Sequence, residues 1–273
     1  MADRASWFSK AGVGLVDNVH DALTMGVGFP LRHLSDRLGR SRYDTGVRGF
    51  GRISLRARTS DGAVFRQVFA RREYDLSRFP QHDRVLAAIS RTAADGKIPV
   101  VVDGGANVGA ASLFFSATYP QATVVAVEPD PDNADSCEQN TSGHDNIKVL
   151  RAALGAEPGA VELSNPAGEA WAVQTSRSAG GAVPIVTIDQ AVAAAGDGVP
   201  IVVKIDIEGF EADLFSSNTG WIDRATAVIV EPHDWLFPDT ATSRTFQTAM
   251  AERDFDVVLS GENLVYFRRG PPI

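Results

Sequence analysis

The hydrophobic pattern of this chain changes character near residue 99. Upstream of it, residues 1 to about 45 read as loosely helical, with Gly26, Gly28 and Pro30 breaking the pattern. Residues 52–58 alternate apolar and basic, Asp61-Gly62 follows, and Val64 to Phe69 is again apolar-rich. Two period-2 runs around a Gly-containing turn predict a β-hairpin there. Val85, Leu86 and Ile89 stand at helical spacing and predict a helix over 81–94.

Downstream, short apolar runs alternate with helical patterns. Strands are predicted at 99–103, 123–128, 146–151, 200–206, 226–231, 255–259 and 264–268, and helices at 108–118, 131–140, 187–195, 210–217 and 242–253. Residues 160–187 are less regular, with short β pieces and a Gly/Ser-rich stretch from Ser176 to Gly181. This alternation predicts an open, mostly parallel sheet covered on both faces. The last two strands are joined only by Ser260 to Asn263, too short for a parallel crossover, so they form an antiparallel hairpin. The expected fold class is α/β, Rossmann-like, with an N-terminal extension of helices and a β-hairpin. The expected division is residues 1–80 and 81–273.

Composition narrows the setting. The 273 residues are 44% hydrophobic and 22% charged, ordinary values for a globular chain. The net charge of −8 argues against a general nucleic-acid binder. The charge is uneven: residues 1–99 hold 17 Lys/Arg and 10 Asp/Glu, residues 100–273 hold 9 and 24. A basic region packing on an acidic domain explains this, and a basic lip that attracts an anionic substrate or a membrane surface does too. Peripheral membrane contact and homo-oligomer formation both stay open. The lone cysteine, Cys137, forms no internal disulfide and fits a cytoplasmic location. No apolar run is long enough for a transmembrane helix.

The most informative segment runs from Pro99 to Phe115. An apolar run ends in Asp103, and the turn Gly104-Gly105-Ala106-Asn107-Val108-Gly109 leads into a helix. Such a junction lets the backbone approach a nucleotide-like ligand closely. Ligands in open α/β sheets bind at the carboxyl ends of strands. Three of those ends are acidic: Asp103, Glu128 and Asp206. Glu128 lies 19 residues beyond Gly109, where a carboxylate can accept both hydroxyl hydrogen bonds of a ribose. A dinucleotide site needs G-x-G-x-x-G, but Ala106 replaces the middle glycine. A carboxylate beside the turn repels pyrophosphate and suits the cationic groups of S-adenosylmethionine (SAM). SAM is therefore favoured over NAD.

Five segments carry a family resemblance: DGGANVG (Asp103–Gly109), AVEPD (Ala126–Asp130), AALG (Ala152–Gly155), KIDIEGFE (Lys204–Glu211) and VIVEPH (Val228–His233). With them the chain resembles the FkbM family of SAM-dependent methyltransferases over roughly residues 50–270, and Ser60–Asp75 looks like that family's N-terminal extension. The glycine segment is shared by many methyltransferases; its combination with KIDIEGFE is much more selective. The resemblance implies a class I methyltransferase sheet, strand order 3-2-1-4-5-7-6 with strand 7 antiparallel. It implies O-methylation of a hydroxyl on a saccharide, glycolipid or secondary metabolite. It places Asp103, Gly104, Gly105, Ala106, Asn107 and Gly109 around the methionine end of SAM and Glu128 on the ribose. It sets Pro129 and Asp130 beside the nucleoside, Ala152 or Ala153 near adenine, and Asp206 facing the methionine or the methyl-transfer region.

Methyl transfer to an alkyl hydroxyl needs alignment and a base. Asp206, Glu231 and His233 are the catalytic candidates, all at predicted strand ends. Glu208 and Glu211 follow strand four, and Glu211 reads as a helix-N-terminal carboxylate. Asp206, Glu231 and His233 (or Asp234) are also a candidate divalent-metal set that would orient a sugar diol. Glu73-Tyr74-Asp75 is a candidate closure over the donor, and Trp171, Trp221 and Trp235 are candidates for stacking on a sugar. The competing functions are methylation of a nitrogen or carboxylate, a SAM-binding subunit without turnover, and an NAD-binding oxidoreductase.

Overall fold

The computed structural model describes residues 39–164 and 174–270. The chain forms two compact units, residues 1–72 and 73–273.

In the first unit, β1 (Arg42–Val47) and β2 (Gly51–Arg56) form an antiparallel hairpin, with Arg42 opposite Arg56 and Val47 opposite Gly51. A helix, α1 (Asp61–Phe69), follows. This corrects the predicted hairpin: residues 52–56 pair with the segment before them, not after. Phe65, Val68 and Phe69 are buried at i, i+3 and i+4, a helical stripe that an apolar-rich run disguises as a strand. Buried Asp61 fixes the junction, because its carboxylate accepts the Arg56 backbone N–H at 2.8 Å and the Arg56 guanidinium at 2.7 Å. Residues 42–45 are strand where helix was expected. The remainder of the expected N-terminal helix, and Trp171, lie outside the described residues.

The second unit begins with α2 (His82–Ala94), then β3 (Ile98–Gly104), α3 (Ala110–Thr118), β4 (Thr123–Val127), α4 (Pro131–Thr141) and β5 (Ile147–Leu150). A smaller four-stranded sheet follows from β6 (Ala153–Leu154), β7 (Gly159–Ser164), β8 (Gln174–Arg177) and β9 (Val183–Val186), in the order β6-β9-β7-β8. The chain then returns through α5 (Ile188–Ala193), β10 (Gly198–Ile205), α6 (Glu211–Leu214), β11 (Ala227–Val230), α7 (Arg244–Ala251), β12 (Phe255–Ser260) and β13 (Asn263–Arg268).

The main sheet has seven strands in the order β12-β13-β11-β10-β3-β4-β5. Its pairs are parallel from β11 to β5, while β13 runs antiparallel to both β11 and β12. This is the class I methyltransferase order expected from the resemblance, and the two-residue turn Gly261-Glu262 closes the predicted hairpin. The central strands are apolar on both faces, with Val100, Val101, Val102, Val202 and Val203 fully buried, as a sheet covered on two sides requires. Val100, Val102, Val125 and Val203 pack in one core with Ile188 of α5, Phe246 of α7 and Trp221. On the opposite face Ala126 packs with Ala106 and with Cys137 of α4. Trp221 is buried against Phe215, with ring centroids 5.7 Å apart, so it is core and does not stack on a sugar.

Candidate functional site

The carboxyl ends of β3, β4 and β10 converge on one cleft, at the position where the strand order reverses between β3 and β10. Gly105, Asn107, Glu128, Pro129, Ala153 and Asp206 of the sequence-derived set line it. Asp103, Gly104, Ala106 and Gly109 are not among the residues that line it.

Gly105 explains why the turn needs glycine. Its φ is +72°, and a Cβ there would lie 1.7 Å from the Asp206 carbonyl oxygen. The backbone following β10 therefore runs against the turn with no room for a side chain. The turn's amides are already engaged: Gly105 and Ala106 donate to the Val127 carbonyl at 3.0 and 3.1 Å, and Gly109 donates to Ala106 at 2.8 Å. Asn107 donates to Glu128 Oε2 at 2.8 Å. A pyrophosphate site offers free amides at a helix N-terminus. Here Gly105 and Ala106 spend theirs on the end of β4.

Glu128 projects just past β4. Its Oε1 accepts the Asp130 N–H at 2.9 Å, so each oxygen holds one backbone donor and keeps a further lone pair. Burial pushes its carboxyl up to about 7, against the Asp130 and Asn107 N–H groups, which pull it down. The Asn107 Oδ1 is buried in the cleft wall without a hydrogen-bond partner. Asp130 caps α4 through the Asn133 N–H at 2.9 Å, which brings Asn133 to the cleft.

Beneath the turn lies a group that linear reasoning left without a role. Lys204 of β10 stands in register opposite Asp103 of β3. Its ammonium is buried 3.1 Å from Asp103 Oδ1 and 3.5 Å from Asp206 Oδ2. It donates to the carbonyls of Gly104 at 3.2 Å and Gly105 at 2.8 Å, and lies 5.5 Å from the Tyr74 ring centroid. Burial pulls the ammonium down, but Asp103 and Asp206 outweigh it and hold it well above the usual lysine range. Asp103 also accepts the Ser112 hydroxyl at 2.6 Å. Of the two carboxylates beside this ammonium, Asp206 lines the cleft and Asp103 does not. A lysine inside the apolar run VVKI was the available signal, because a buried lysine must be paired.

Glu73-Tyr74-Asp75 is buried structure. Glu73 packs on the β12–β13 turn, and Gly261 has no space for a side chain beside it. Tyr74 lies 5.9 Å from the Phe115 ring, and Asp75 accepts the Ser77 N–H at 3.1 Å.

Beside the cleft, the segments after β10 and β11 gather five titratable groups. His233 is buried, and its Nδ1 lies 2.9 Å from Glu211 Oε1, which also accepts the Ile207 N–H at 3.2 Å. Its Nε2 faces Glu208 Oε2 at 3.5 Å, Asp206 Oδ1 at 3.6 Å and Glu231 Oε1 at 3.9 Å. Burial pulls the imidazole down, but the bond to Glu211 and the neighbouring carboxylates raise it overall. Burial, then Asp206, raises the carboxyls of Glu208 and Glu231. Glu211 thus does more than begin a helix: it orients the imidazole. Asp234 is not in this group. It accepts from Thr242 Oγ1 at 3.1 Å and the Ser243 N–H at 3.2 Å, securing the loop before α7.

Glu208 and Gly209 both have positive φ, +54° and +94°, so the chain bends sharply after β10. A Cβ on Gly209 would meet the Phe237 ring at 2.3 Å. A second pocket opens at this bend, with Phe237 on one side and the hydroxyls of Ser164, Thr175, Ser176, Thr240 and Thr242 around it. Thr175 and Glu208 line both this pocket and the first cleft, so the two adjoin. Trp235 is 63% exposed, with its ring 6.4 Å from that of His233.

Residues 103–256, more than half of the chain, match the family described as the methyltransferase FkbM domain. Among curated proteins, the hexuronic acid methyltransferase AglP of Haloferax volcanii is 26% identical over 168 residues, covering 59% of this chain and 69% of the relative. Methyltransferase sdnD of Sordaria araneosa is 28% identical over 104 residues, 37% of this chain. The match spans about a third of that relative, 34% of its length. Among solved structures, a precorrin-6y C5,15-methyltransferase from Geobacter metallireducens superposes with a TM-score of 0.37 at 13% identity, covering 68% of this chain and 86% of that one. No helix among the described residues is long and apolar enough to cross a membrane.

Proposed function

The chain belongs to the FkbM methyltransferase family, and from that premise we propose that it is a SAM-dependent O-methyltransferase acting on a saccharide hydroxyl. The observation that carries this reading is the pair of adjoining pockets that share Thr175 and Glu208.

The first cleft suits SAM. Glu128 keeps one lone pair on each oxygen for the ribose hydroxyls, and Asp206 offers negative charge to a cationic donor. Ala153 and Pro129 supply apolar walls for the base. The amides of Gly105, Ala106 and Asn107, already engaged, are unavailable to a dinucleotide pyrophosphate. When bound, SAM supplies an electrophilic methyl carbon on a positive sulfur.

The second pocket suits a sugar. Its hydroxyl-bearing side chains match a polyol, and Phe237 offers an apolar face to a pyranose ring. The hexuronic acid named for the haloarchaeal relative supports a saccharide acceptor. The acceptor oxygen forms the new C–O bond while the C–S electron pair passes to sulfur. The hydroxyl proton goes to a carboxylate oxygen of the cluster formed by Asp206, Glu208 and Glu231. Most of the barrier reduction then comes from alignment, for which the bend at Glu208-Gly209 is the shared wall.

Calorimetry with SAM, S-adenosylhomocysteine and NADH tests the donor. Incubation with SAM and a panel of hexoses and hexuronic acids, read by mass spectrometry as a gain of one CH2, tests the acceptor. Base-labile products would assign transfer to a carboxylate rather than a hydroxyl. Binding of NADH without binding of SAM would overturn the reading.

A further inference from the structure

We propose that Asp206, Glu208 and His233 form a divalent-cation site between the two pockets, with Glu211 as the partner that orients the imidazole. The idea rests on the methyltransferase reading only for its purpose: to hold two neighbouring hydroxyls of the sugar. The site itself rests on side-chain placement.

One ligand atom from each of the three residues lies within 4.8 Å of the others. Convergent carboxylates alone do not make a site; His233 adds the second observation. It is 1% exposed, and its Nε2 makes no hydrogen bond although it points among three carboxylates. An imidazolium N–H held by a carboxylate draws that oxygen to about 2.7–2.9 Å. Here Glu208, Asp206 and Glu231 stand back at 3.5, 3.6 and 3.9 Å, spread around the nitrogen. This spacing suits ligands that share a cation rather than a proton. The other nitrogen completes the pattern. Nδ1 lies 2.9 Å from Glu211 Oε1, an arrangement that would hold an Nδ1 proton and turn Nε2 toward the cluster when a cation displaces any proton there. A carboxylate behind a ligating histidine is the usual second partner in metal sites.

Glu208 adds a separate sign. It is held at φ +54°, a strained region for a residue with a side chain. Its Oε2 is buried without a hydrogen-bond partner. Two carboxylates and one imidazole favour a cation of the Mg2+ or Mn2+ type. The sequence-derived set named Glu231 in place of Glu208. Glu231 is the farthest of the three carboxylates from Nε2.

The test uses the full chain, stripped with EDTA and dialysed, and titrated with MnCl2 while free Mn2+ is followed by electron paramagnetic resonance. S-adenosylhomocysteine is titrated in parallel by calorimetry. One Mn2+ per chain is expected. Glu208→Gln, on a partly exposed bend, should abolish that binding with an unchanged melting curve. Glu211→Gln should weaken it about 10–100-fold. Failure to take up Mn2+ in protein that binds S-adenosylhomocysteine overturns the metal site and leaves the methyltransferase reading standing. Mn2+ uptake equal in wild type and Glu208→Gln places the ion elsewhere and also overturns it. Mn2+ uptake with the expected variant pattern, but no S-adenosylhomocysteine binding, keeps the metal site and removes the donor assignment.

Discussion

Lys204→Met removes the buried ammonium while keeping the length and apolar stem of the side chain. In the native protein that ammonium neutralises Asp103 at 3.1 Å and holds the carbonyls of Gly104 and Gly105 at 3.2 and 2.8 Å. Asp103 is fully buried and would keep only the Ser112 hydroxyl. Removing one partner of a buried ion pair costs about 3–5 kcal/mol. The orphaned carbonyls belong to the same network, so their cost overlaps with this and is not added. For a unit of this size, each kcal/mol lowers Tm by about 2–4 °C, so a loss of roughly 6–20 °C is expected. Because the ammonium is raised in the folded protein, its contribution is complete below the ordinary lysine pKa and is lost only as pH rises above it. The double variant Asp103→Asn/Lys204→Met removes the stranded charge and should recover about 1–3 kcal/mol. Thermal melts and urea denaturation of the three proteins give these values. A single variant melting within about 2 °C of wild type would show that the pair is not holding the strand ends together.

Further outcomes concern the cleft and its neighbour. Gly105→Ala forces a Cβ to 1.7 Å from the Asp206 carbonyl at φ +72°, and calorimetry should find S-adenosylhomocysteine binding lost. Glu128→Gln should weaken that binding by about 1–3 kcal/mol, as expected for hydrogen bonds to a charged acceptor. Ribose hydroxyls favour ionised Glu128, so wild-type affinity should rise with pH up to about 7 and level off above it. A flat profile, or the same slope in Glu128→Gln, would remove Glu128 from the ribose. The same group binds a proton more tightly in the folded state. The ligand-free protein should therefore lose stability as pH rises from 4.5 to about 7, read from urea midpoints. Phe237→Ala should raise the acceptor KM while leaving SAM affinity unchanged. Steady-state kinetics with a saccharide acceptor would measure it, and an unchanged KM would place the sugar elsewhere.

The sequence by itself determined the frame of the second unit. All seven strands of its main sheet, the terminal hairpin and the glycine turn follow from patterns a few residues long. Runs such as VVVD and VVKID announce buried parallel strands, and a short link between two strands leaves only a hairpin. These are local facts, set by period and turn chemistry. Local patterns failed where two periods overlap: Val64 to Phe69 is apolar enough for a strand, yet its i, i+3, i+4 stripe makes a helix. The site was legible only in outline. Glu128 and Asp206 could be placed at strand ends, but the role of Asp103 depended on a lysine 101 positions away, brought opposite it by the β3–β10 register. That Glu208 stands nearer His233 Nε2 than Glu231 does, and that Glu211 meets the other ring nitrogen, emerges only from the packed segments after β10 and β11. Charge pairing and ligand convergence act through space over a few ångströms, so only the packed strands could reveal them.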